Sequence, residues 1–222
     1  MSYFTHDFIQ FLKDLSNNNN RDWFNENKKR FENSVKLPFE NFIQEMIHRI
    51  HEDDEEINLT TKDAVFRIYK DARFSKDKLP YKTYASAVIS PGGRKDFTTP
   101  GIYLEFKAEE IRFYGGAHFL DKDQVQNIRR SISDNMDGFK LLIEDKEFKK
   151  LFGKIHGEQN KRIPQELQEA VKTQPLIANK QFYYYAILGA EKLTSKNLAE
   201  TLMKYYFAGK PLHQFLKSAM LG

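Results

Sequence analysis

The sequence has no cysteine, which removes disulfides, thiolate nucleophiles and cysteine-bound zinc from its possible chemistry. Long apolar runs are missing too. The longest, Phe182 to Ala190, is far too short to cross a bilayer, so no membrane partner is expected. The opening segment MSYFTHDFIQFLKDL is amphipathic and charged, without the uninterrupted apolar stretch of a signal peptide, and a cytoplasmic location is expected. Three glycine-marked signatures are also absent: G-x-x-x-x-G-K-[ST], G-x-G-x-x-G and G-x-S-x-G. The familiar nucleotide cradles and the hydrolase elbow therefore have no sequence support. There is no internal repeat and no linker-like segment, so the 222 residues are expected to form a single α+β domain, 1–222.

What is present is a concentration of positive charge. Between Lys62 and Lys82 there are seven basic residues and three acidic ones, a surplus equal to the formal +4 of the whole chain. Long-range attraction for anions should therefore centre on this segment. Val65 to Tyr69 reads as a strand, with Phe66 and Ile68 on one face and Arg67 and Tyr69 on the other. If extended backbone continues, Asp71 and Arg73 join the side of Arg67. Beyond Phe74 the periodicity is lost and Pro80 marks a turn, which leaves Lys76, Lys78 and Lys82 on a loop.

Three readings of the segment stay open. In the first, Arg67, Lys70, Arg73, Lys76, Lys78 and Lys82 bind a small phosphate- or carboxylate-bearing ligand, with Asp71 as orienter or base and His118 as an acid. In the second, the pI of about 9.0 and the interleaved Tyr69, Phe74 and Tyr81 serve a nucleic acid. In the third the stretch is an internal clasp, with Arg67 and Arg73 buried against Asp71 and Asp22. On that division of labour, Arg73→Ala should destabilise the fold and Lys78→Ala should leave it intact. The run His51 to Glu56 offers metal-ligand types, but its adjacent acids point in divergent directions, so it reads as a solvated connector. No metal, cofactor or specific reaction is expected from these residues.

The pattern FRIYKDARFSKDKLPYK at Phe66 to Lys82, with DWFNENK at Asp22 to Lys28 and the later GIYLEF and YGGAH segments, resembles a family of bacterial and fungal proteins known as a domain of unknown function, serial 2461. After Gly157 the match is partial and includes Arg162-Ile163-Pro164. The resemblance implies that Arg67, Asp71, Arg73, Lys76, Lys78, Pro80, Tyr81 and Lys82 belong to one site or one structural device. It brings no activity, cofactor or catalytic residue with it.

The flanking segments predict the fold class. Phe8, Phe11, Leu12 and Leu15 share a helical face that ends at the Asn17–Asn20 run, and Asn20 can cap the next helix. Phe39, Phe42, Ile43, Met46, Ile47 and Ile50 follow the helical period after Pro38. Gly101 to Lys107 and Ile111 to Tyr114 alternate as a hairpin. Asp121 and Gln124 form a capping pair for a helix beginning near residue 122. In Gln181 to Leu188, Tyr183 and Tyr185 point one way and Tyr184 the other. Two C-terminal helices, Ser195 to Phe207 and Leu212 to Leu221, are expected on either side of Pro211. The resulting architecture is α+β: a mainly antiparallel sheet of roughly five or six strands packed against N- and C-terminal helices.

Overall fold

The computed structural model describes residues 2–71, 77–96 and 99–221; Arg73, Phe74 and Lys76 lie outside them. The fold is α+β, with a four-stranded antiparallel sheet in the order β1 (Ala85–Ile89), β2 (Ile102–Phe106), β3 (Glu110–Ala117) and β4 (Phe182–Gly189). Contacts divide the chain into two compact units. The first takes Met1–Arg94, Tyr103–Phe113 and Ile187–Met203, and the second Lys95–Ile102, Tyr114–Ala186 and Lys204–Gly222. Among the described residues no helix is long and apolar enough to cross a membrane.

In the first unit, α1 (His6–Asn17) buries Phe8, Phe11, Leu12 and Leu15, as their spacing requires. The Asn20 side chain accepts from the Trp23 amide at 3.0 Å and so caps α2 (Arg21–Glu26). Next, α3 (Lys28–Phe31) runs directly into a π-helical turn, Glu32–Lys36, and then into α4 (Leu37–His51) with Pro38 in its first turn. All six periodic apolar residues of α4 are buried. Phe39 and Phe42 meet Phe106 of β2 with ring centroids 5.3 and 5.4 Å apart, which docks the helix on the sheet. A short α5 (Thr61–Ala64) follows, and the backbone amide and hydroxyl of Thr60 both donate to Asp63.

The expected strand over Val65 to Tyr69 does not form as a continuous element. It is reduced to isolated antiparallel bridges, Val65 to Ala87 and Tyr69 to Tyr81. The cause is a register slip. Phe66 donates to Ser86 while Ile68 accepts from Lys82, so two steps on one side face four on the other. A slip of this kind breaks the ladder and bulges the longer side at Thr83 to Ala85. Among the described residues the sheet consequently holds four strands, not five or six.

In the second unit, α6 (Lys122–Asp134) starts with the expected reciprocal cap: Gln124 N donates to Asp121 at 2.8 Å and Asp121 N to Gln124 at 3.1 Å. Helices α7 (Met136–Glu144), α8 (Lys146–Phe152) and α9 (Gln168–Thr173) follow. Tyr184 of β4 is buried, contacts Phe148 and Phe152, and donates to the Gly209 carbonyl at 3.1 Å. Gly116, at φ 98°, lies so close to β4 that a Cβ would collide with the Phe182 carbonyl. Gly116 therefore serves backbone approach, while Gly115 leaves room for the Tyr184 ring.

The two expected C-terminal helices are one, α10 (Leu198–Leu221), which passes through Pro211. An interior proline costs about 3 kcal/mol. Burial of Leu202 and Tyr206 before it, and of Leu212, Leu216 and Met220 after it, offsets that cost.

Candidate functional site

A cavity of about 660 Å³ opens in the first unit. One wall is helical: Lys28, Glu32, Lys36 and Glu40, four residues apart, run from α3 through the π turn into α4. In a plain α-helix each such step drifts by about 40° around the axis. The wider π turn takes back part of that drift, which keeps the four charged side chains on one wall. Phe24, Phe31, Val35 and Ile68 supply an apolar surface, while α5 contributes Lys62 and the bridged segment contributes Arg67 and Tyr69.

The slipped register brings Tyr84 to the cavity, and the turn after β1 brings Arg94. That turn depends on Gly93, whose φ is 63° and whose missing Cβ leaves room for the Asp63 carbonyl, 2.8 Å from where a Cβ would stand. Arg94 donates from Nη1 to Val65 O at 3.3 Å, while its Nε is buried with no hydrogen-bond partner.

Electrostatically the lining is one-sided. Lys28, Lys36, Lys62, Arg67 and Arg94 face two carboxylates, Glu32 and Glu40. Among the described residues none of the five cations takes part in an ion pair. Nearby, the Lys82 ammonium stands 5.0 Å from the Phe66 ring centroid and 5.8 Å from that of Tyr84. Burial, and then the neighbouring Arg67, push its pKa below the usual lysine value against an opposing pull from Glu105.

The sequence candidates therefore separate. Arg67 is exposed and lines the cavity; it is not buried against Asp71 or Asp22, as the clasp reading required. Lys70 is the residue that clasps, reaching Asp77 at 2.5 and 2.8 Å across the turn. Lys78 holds that turn at φ 52°. Lys82 is half-buried against rings, Asp71 is not among the lining residues, and Arg73 and Lys76 lie outside the described residues. His118 lines another cavity, in the second unit.

Tyr81 is 4% exposed and stacks on Phe24 with centroids 4.0 Å apart, so its face is not offered to a base. Asn19 holds Tyr81 at both backbone groups, donating to its carbonyl at 2.9 Å and accepting from its amide at 3.1 Å. Sequence reasoning had taken that asparagine as a helix stop, and had missed Lys28, Lys36 and Arg94 as lining residues. The four-residue spacing of Lys28, Glu32, Lys36 and Glu40 was the one available signal for the helical wall.

Among the described residues no cluster of three histidines or carboxylates is placed to hold a metal ion. A family model described as a conserved hypothetical protein (DUF2461) matches residues 7–215. No curated protein matches the chain.

Proposed function

From the premise that the chain belongs to the DUF2461 family, we propose that the first-unit cavity binds a small ligand with a phosphate or carboxylate head and an apolar or aromatic body. The observation that carries this reading is the set of five cations without ion pairs among the described residues, around a concave surface partly lined by Phe24, Phe31 and Ile68. Arg67, Arg94 and Lys62 receive the head, since guanidinium groups pair with oxyanions in a fork and are weakly hydrated. The rings take the body, whose burial adds affinity that a bare anion lacks. A concave site of this size suits a compact ligand, and the buried face of Tyr81 weighs against a base-stacking surface.

The test is a thermal-shift and calorimetric comparison of phenyl phosphate, benzoate and inorganic phosphate at low ionic strength, where exposed charges are least screened. Phenyl phosphate is expected to stabilise most, and Arg67→Gln to weaken it by about tenfold, the loss of one charge-assisted hydrogen bond. No stabilisation by any of the three at millimolar concentration overturns the proposal. Tight binding of a single-stranded oligonucleotide without binding of the small anions favours the nucleic-acid reading instead.

A further inference from the structure

The second unit holds a cavity of about 600 Å³ between the start of α6 and the segments around Asn160 to Pro164 and Lys180 to Gln181. Its lining includes Arg129, which is 1% exposed and is one of the largest fully buried side chains of the molecule. The Nη2 of Arg129 donates to the carbonyls of Ala178 and Asn179 at 3.1 and 3.0 Å, while its Nε is buried without a partner. Among the described residues no carboxylate pairs with it. A buried guanidinium of this kind is costly, because carbonyl dipoles replace only part of the water it has lost. Burial correspondingly pushes its pKa below the usual arginine value.

The rest of the lining has the same sign. Lys122 and Arg162 are exposed at the rim and Lys180 is shared with Glu158 at 3.3 Å, while the one lining carboxylate, Asp121, is already used as the cap of α6. His118 stands beside them, and Asn160 adds an amide. This surplus exceeds what a single carboxylate neutralises.

We propose that this cavity is a second, independent site, which takes a phosphate monoester or diphosphate group with Arg129 at its floor and Lys122 and Arg162 at its rim. The anion pairs with the guanidinium that has no carboxylate partner among the described residues, and the rim cations attract it from solvent. Arg129 on this account has two duties: Nη2 holds the carbonyls that end the 3₁₀ turn Pro175–Ala178, and the remaining donors serve the ligand.

The probe is inorganic pyrophosphate, titrated by calorimetry at low ionic strength into the Arg67→Gln/Arg94→Gln double variant, so that the first-unit cavity does not contribute. Binding is expected to persist there, with amide shifts in residues 118–129 and 160–164 of labelled protein. Adding Lys122→Gln and Arg162→Gln, both exposed positions, is expected to weaken it at least about tenfold. Arg129→Lys, checked for folding by circular dichroism, is expected to weaken it to a similar degree. Unchanged affinity in either variant, absence of binding in the double variant, or amide shifts confined to other residues overturns the proposal and leaves Arg129 with its carbonyl-capping duty alone.

Discussion

In the first unit Arg30 sits half-exposed between Asp7 and Asp14, bonding them at 3.0 and 2.8 Å, whereas in the second unit Arg129 is 1% exposed and, among the described residues, bonds two carbonyls and no carboxylate. The surroundings act on the two guanidinium groups in opposite directions. Hydrogen bonds donated to Asp7 raise the pKa of Arg30, and desolvation lowers that of Arg129. A cation close to water with its counter-charges in sequence is a closed structural device. A cation in the interior that has none among the described residues is an incomplete one, which is the ground of the second-site proposal. The same criterion separates Lys70, closed on Asp77, from Arg67 and Arg94, which are open to the first cavity.

The contrast can be broken most directly at Arg129. Arg129→Met removes the guanidinium bond to the Asn179 carbonyl and leaves Ala178 O with the Asn160 amide at 2.8 Å as its remaining donor, and about 2 kcal/mol of stability should be lost in urea unfolding. A variant as stable as the parent would show that the buried guanidinium has no structural part. Arg30→Met should cost less, about 1 kcal/mol, because the side chains of Arg30, Asp7 and Asp14 are 31, 42 and 30% exposed and solvent screens them.

Titration sharpens the same comparison. The hydrogen bond from Arg30 is the largest influence holding both Asp7 and Asp14 below the usual aspartate value. A depressed carboxylate contributes stability that is fully present above its unfolded pKa, near 4, and is lost as pH falls through the folded value. Stability against pH should therefore drop more gently below pH 4 in Arg30→Met than in the parent, and Arg129→Met should keep the parent's acid limb. The smallest effect is expected at Arg67, where Gln should change stability by no more than about 0.5 kcal/mol while anion affinity falls.

The parts of this molecule legible in its sequence are those set by local periodicity. The faces of α1 and α4, the β2–β3 hairpin and the reciprocal cap of α6 all follow from spacing that tertiary structure did not override. The register slip between Phe66–Ser86 and Ile68–Lys82 was not legible, because alternation within one strand says nothing about its partner's register. Arg94 carried no signal of its own, because its contact with Val65 is made by the turn that precedes it and not by local spacing. Arg129 did leave a trace. It lies four residues after Val125 and next to Ile128, so a basic side chain falls on the edge of an otherwise apolar helical face. The long helix through Pro211 escaped notice because burial on both sides of a proline is a property of the fold and not of the helix.

The π turn at Glu32–Lys36 also constrains how this chain can change length. Its five residues wind through about the angle that four residues of ordinary α-helix cover, so removing one of them and returning to α winding would leave the flanking helices facing nearly as before. Phe39, Phe42 and Met46 would keep their places in the interior, and Lys28 would keep its side of the helix, so the loss would fall on the turn itself. A chain one residue shorter at these five positions should therefore keep the scaffold, which makes the turn the place in this helical run where length changes at least cost.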